Sequence, residues 1–146
     1  MADAPRAVGA LLLCVALLAA CGQPGAEAAH LEEPAELEPI EGTELSRITL
    51  SADASRRLDV QVVEVRQLEG RLRLEVPHSA LLYDSEGGTW VYVETEPLAY
   101  VRHAVTVDRV EDERVILHDG PPAGTRVVTV GAVELYGVES GVGGGH

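Results

Sequence analysis

Thr89-Trp90-Val91-Tyr92-Val93-Glu94-Thr95, set between Asp84-Ser85-Glu86-Gly87-Gly88 and Glu96-Pro97, decides the fold class. β-branched and aromatic residues alternate in it, so Val91 and Val93 share one face and Trp90, Tyr92 and Glu94 the other. Acidic and glycine residues before it, and proline after it, mark turns. The pattern repeats outward. Leu98 to Val110 reads as one long strand with Val101, Val105 and Val107 on one side, and Glu111-Asp112-Glu113 as a charged hairpin tip leading to Arg114–His118. Gly120–Gly124 is a loop before the strand Thr125–Val130, and Ala132–Tyr136 fits a helical turn or a short strand. Upstream, Arg71-Leu72-Arg73-Leu74-Glu75-Val76 alternates polar with apolar, the period of a half-buried strand, and Pro77 stops it. Glu69-Gly70 turns into it from the valine-rich Asp59–Arg66, and Ile48 and Leu50 suggest one more strand. Between these, Ser51–Leu58 reads as a brief helix capped by Ser51, with Asp53 in its first turn and Arg56 and Arg57 in its last.

Turns at this spacing predict an all-β domain, a small antiparallel barrel or sandwich with one short helix. No helical pattern is long enough to cross a parallel sheet. The chain has 146 residues, room for one modest domain. It lacks Lys, Asn and Phe, and its 11 arginines face 24 acidic residues, a net charge of −13. That balance excludes the basic footprint of a nucleic-acid binder and sets the chain against anionic membrane surfaces.

Val8–Ala20 is a short apolar run, below the roughly 20 residues of a spanning helix and of the length of a signal-peptide core. It ends Leu18-Ala19-Ala20-Cys21, which looks like the lipobox of bacterial lipoproteins. Small residues admit the signal peptidase, and the Cys21 thiol takes diacylglycerol, with each buried methylene adding about 0.8 kcal/mol to anchoring. The expected organisation is a signal peptide over 1–20, a lipidated Cys21 with a disordered acidic tether over 21–44, a β domain over 45–137, and a flexible glycine-rich tail over 138–146. Cys14 leaves with the signal, so thiol catalysis and disulfides are excluded from the mature chain.

Val76-Pro77-His78-Ser79-Ala80-Leu81-Leu82-Tyr83 followed by Gly88-Thr89-Trp90-Val91-Tyr92-Val93 resembles the stretch near the C-terminus of periplasmic adaptor subunits, the HlyD-type membrane fusion proteins of RND efflux systems. The resemblance continues through Tyr100–Val107, ends in Gly124–Ala132 with Glu134 and Leu135, and includes an opening segment, Ile48–Ser51 with Leu58-Asp59-Val60. Asp59 stands where the family usually has glycine. In that family the chain starts in a membrane-proximal β domain, makes a long excursion through a barrel, a lipoyl-like domain and a helical hairpin, and returns to complete the first domain. Here only Arg66–Leu74 separates the two halves. The resemblance implies the membrane-proximal module alone, and joining its ends leaves a core closed by a short loop.

No catalytic constellation emerges. Ser79 follows His78 with no acid assigned to them and no nucleophile-elbow motif, and Gly141–Gly145 has no helix after it to cradle phosphate. His30, His78, His103, His118 and His146 form no metal-ligand spacing, and the only Met is the initiator. No enzyme activity, cofactor or metal is expected. Trp90, Tyr92 and Tyr100 are the candidate partner-binding residues, as an exposed aromatic patch; the bland reading places Trp90 in the core and the tyrosines over strand faces. The expected function is a lipid-anchored periplasmic module of the bacterial cell envelope, docking on an RND-type transporter or its adaptor and attached to the membrane through Cys21. The alternative is a free-standing lipoprotein module for a small ligand or metal on an adaptor-derived scaffold. Gly22 after Cys21 points to the outer membrane, and pump docking points to the inner one.

Overall fold

The computed structural model describes residues 33–69 and 72–141. The signal peptide, Cys21, the first part of the tether with His30, Gly70 of the expected Glu69-Gly70 turn, Arg71, and residues 142–146 of the tail with His146 lie outside the described residues. The strands are β1 (Ala35–Pro39), β2 (Ser46–Leu50), β3 (Gln61–Glu64), β4 (Arg66–Gln67), β5 (Leu74–Pro77), β6 (Leu82–Tyr83), β7 (Thr89–Glu96), β8 (Ala99–Ala104), β9 (Thr106–Glu111), β10 (Arg114–Asp119) and β11 (Arg126–Val130). The helices are α1 (Ala52–Arg57) and α2 (Ala132–Glu139), with a 3-10 turn at His78–Ala80. The fold is all-β and antiparallel, as expected, and neither sheet closes into a barrel. The larger sheet runs β1-β2-β8-β7-β11-β3 with β6 beside β7, and the smaller runs β4-β5-β10-β9.

Two apolar clusters explain the layering. Val91 and Val127 of the larger sheet meet Val76, Val115 and Leu117 of the smaller one. On the opposite face of the larger sheet, Ile48, Tyr92, Tyr100 and Val128 pack with Ala54 of α1 and with Ala132 and Leu135 of α2. The larger sheet is therefore covered on both faces, so Val91 and Tyr92, adjacent and pointing oppositely, are both fully buried.

The helix α1 forms as its cap predicts: Ser51 Oγ accepts from the Ala54 amide at 3.1 Å. The Asp84–Gly88 turn also forms, with Asp84 Oδ1 accepting from the Glu86 and Gly88 amides at 2.9 and 2.7 Å.

Four expectations are corrected. The stretch assigned to the tether contains β1, paired with β2 from Ala35↔Leu50 to Pro39↔Ser46. The Ile40 amide donates to the Leu45 carbonyl across a turn that Gly42 enters at φ 78°, and β1 covers the edge that β2 otherwise leaves unpaired. Second, the long strand breaks at Val105. That residue is buried, its amide donates to the Thr89 carbonyl at 2.9 Å, and the chain passes there from the larger sheet (β8) to the smaller one (β9). Third, the strand read from Arg71 starts at Leu74. Leu72, ahead of the strand, is 87% exposed; within it Val76 is buried as the alternation requires, and Glu75 is only 5% exposed as well, because two arginines neutralise it. Fourth, α2 continues through Gly137 to Glu139, where a tail was expected. Glycine costs a helix about 1 kcal/mol, and the buried Leu135 and the contacts of Glu139 offset it.

The segments on either side of the Leu68–Arg73 link interleave. β2 pairs with β8, β3 with β11, and β4 with β5. Both apolar clusters draw on the early and the late half of the chain, Ile48 and Ala54 with Tyr92 and Val128 in one, Val65 with Val91 and Val115 in the other.

Candidate functional site

The three aromatic candidates separate in space. Tyr92 and Tyr100 are 0% and 2% exposed and line the core beneath the helices, so they form no surface patch. The cover that α1 and α2 lay over this face accounts for the correction. Trp90, on the same face of β7 but nearer its start, is partly exposed. Its indole N–H donates to Asp84 Oδ2 at 2.7 Å, and this bond, with the Gly88 amide, holds the Asp84 carboxyl below its ordinary range.

Beside Trp90 lies Arg102 of β8. Its guanidinium carbon stands 4.4 Å from the Trp90 ring centre and 5.5 Å from that of Tyr136 on α2, a cation between two aromatic faces. Arg102 Nε is 3.2 Å from Glu139 Oε2, with the two side chains 14% and 6% exposed. Its hydrogen is not aimed at that oxygen, so Nε is buried without a hydrogen bond. The same Oε2 accepts from the Tyr92 hydroxyl at 2.5 Å, while Oε1 accepts from the Ser46 amide at 3.3 Å. Burial first, and then the Glu139 hydrogen bond, push the Tyr92 hydroxyl far above its usual range. Trp90, Arg102 and Tyr136 open on a cleft whose rim is Glu44, Asp84 and Glu86. One end of the domain thus presents a held indole and a charge-compensated guanidinium, features suited to gripping a protein surface.

A second polar cluster sits where the two sheets meet. Glu75 receives Arg66 on one oxygen and Arg114 on the other, the latter at 3.3 Å. Both arginines are more than half exposed, whereas the Glu75 side chain is 6% exposed.

His78, His103 and His118 are exposed, and Ser79 beside His78 is exposed with no acid assigned to it. Among the described residues no group of three metal-binding side chains converges, and no helix is long and apolar enough to cross a membrane. Arg102, Tyr136, Glu139 and Glu75 carry no sequence signature that marks them as site residues. The only local signal was Tyr136 and Glu139 at a helical spacing, masked by Gly137 and the glycine-rich end.

No family model matches the chain, and neither a curated protein nor a solved structure matches it.

Proposed function

We propose that this chain is a lipid-anchored, non-catalytic docking module of the bacterial cell envelope that engages an RND-type efflux transporter or its adaptor. The observation that carries the reading is the interleaving of the two halves of the chain. β2 and β3 precede the Leu68–Arg73 link, β8 and β11 follow it, and β2 pairs with β8 and β3 with β11. An adaptor that leaves its membrane-proximal domain and returns needs such a closure, and a chain with only the Leu68–Arg73 link between its halves fits that reading. The Trp90–Arg102–Tyr136 cleft supplies a docking surface. With β1 docked, thirteen residues join Cys21 to Ala35, which limits the separation to about 50 Å when fully extended. The module would stand close to the bilayer that holds its acyl chains.

The test has two parts. Cys21→Ala should move the protein from the membrane pellet to the soluble fraction; retention in the pellet overturns the lipid anchor. In-cell crosslinking through a photoreactive residue at position 90 should capture an RND transporter or adaptor. Capture of neither, with the protein folded and lipidated, overturns the docking role.

A further inference from the structure

β3 is the last strand of the larger sheet. Its hydrogen-bonding phase follows from Val65, whose amide donates to the Thr125 carbonyl and whose carbonyl accepts from the Gly124 amide, each at 2.8 Å. Bonding alternates along an antiparallel pair, and Val63 lies opposite Val127. Val63 therefore turns its backbone groups toward β11, and Val62 and Glu64 turn theirs outward, to no partner strand among the described residues. An open edge of this kind is a template for an added strand.

The edge ends at a cleft of about 530 Å³ between the two sheets. Val63, 37% exposed, and Pro77 form its apolar wall. Its floor is Glu75, neutralised by Arg66 and Arg114. Glu111, paired with Arg109 and Arg114, Glu64, Asp112 and Glu113 complete the lining, and the last three have no arginine within ion-pair distance among the described residues. The uncompensated charge is negative. A second copy of this chain brings a net charge of −13 and the same rim, so like charges oppose self-pairing.

We infer that the β3 edge and the adjoining cleft receive an extended, basic segment of a partner protein. The segment adds a strand through the backbone groups of Val62 and Glu64, sets an apolar side chain against Val63 and Pro77, and reaches Glu64, Asp112 and Glu113 with arginine or lysine. The inference rests on the docking role proposed above and adds a second contact surface, distinct from the Trp90 cleft, together with the partner's chemistry.

The probe is a synthetic peptide of alternating valine and arginine, titrated into the isotopically labelled full-length chain and followed by amide resonances. Shifts centred on Val62, Val63 and Glu64 are expected. Methylating alternate peptide nitrogens, which removes the donors a strand needs, should weaken binding by about tenfold or more. Combining Glu64→Arg with Glu113→Arg, both at exposed sites, should do the same. The inference is overturned by absence of binding, by shifts centred elsewhere, by equal binding of a valine–glutamate peptide, or by equal binding of a flexible glycine–arginine peptide of the same charge. Loss of peptide binding with crosslinking at Trp90 intact rejects this groove alone. Failed crosslinking with peptide binding intact rejects the transporter assignment alone.

Discussion

The Tyr92 hydroxyl, at the centre of β7, donates to Glu139 Oε2, in the last turn of α2, at 2.5 Å. The pair ties the end of α2 to the middle of the larger sheet. The same oxygen faces Arg102, so a single carboxylate holds a helix, two strands and a buried cation together.

Breaking that contact has a graded cost. Glu139→Ala strands Arg102 in a site 14% exposed and should destabilise the domain by about 3–5 kcal/mol. Tyr92→Phe removes one charged hydrogen bond and should cost about 1–3 kcal/mol. Arg102→Met combined with Glu139→Leu should cost less than Glu139→Ala alone. Urea denaturation followed through Trp90 emission measures all three, and equal losses in the two single variants would contradict the ranking.

Acid acts on Asp84. Its carboxyl is held below the ordinary value of 3.8, chiefly by the Trp90 indole. A depressed carboxyl favours the folded state above its unfolded value, so its contribution is complete above pH 3.8 and is lost as pH falls further. The stability gap between the native chain and Asp84→Asn should therefore hold at neutral pH and narrow below 3.8. A gap constant into strong acid would show that the bond does not depend on the charge.

Base acts on the two buried tyrosines. Burial is the main force raising both hydroxyls above the ordinary 10.0, aided by Glu139 at Tyr92 and by Glu94 at Tyr100. A raised phenol stabilises the fold below its unfolded value, and that contribution is lost as pH rises past it. Absorbance titration should show a late-ionising component coincident with alkaline unfolding, reduced in Tyr92→Phe. Ionisation of every tyrosine near 10.0 in the folded chain would contradict the burial.

Two glycines with similar backbones should respond differently. Gly131 opens α2 at φ 90°, and a Cβ there would stand 3.0 Å from Val60 Cγ2. Gly124 has φ 87° and open space around it. Gly124→Ala should cost about 1–2 kcal/mol from conformation alone, and Gly131→Ala measurably more. Thermal denaturation compares them, and equal costs would mean that Val60 yields freely.

Hydrogen exchange distinguishes the β1 strand from a tether. The Ile40 amide and the Pro34 carbonyl bond across to β2, so the amides of Glu36 and Glu38 face β2, and those of Ala35 and Leu37 face away. Slower exchange is expected at Glu36, Glu38 and Ile40 than at Ala35 and Leu37. Uniformly rapid exchange across Ala35–Ile40 would return this stretch to the tether.

What was legible in the sequence was what neighbours in the chain decide. Ser51 caps α1 three residues away, Asp84 closes its own turn, and the valines of β7 alternate because a strand has period two. The all-β class follows from these local rules. Residues whose partners lie far along the chain were not legible. Glu36 and Glu38 look like linker residues until β2 offers them an edge. Val105 looks mid-strand until two sheets compete for its flanks. The polar Glu75 is drawn inward because Arg66 and Arg114 arrive from two other strands. Tyr92 and Tyr100 left the candidate site, and Glu139 entered it, because α2 folded back over the sheet. Periodicity sets which face a side chain points to, and only the packing of distant segments decides whether that face meets water, carbon or an opposite charge.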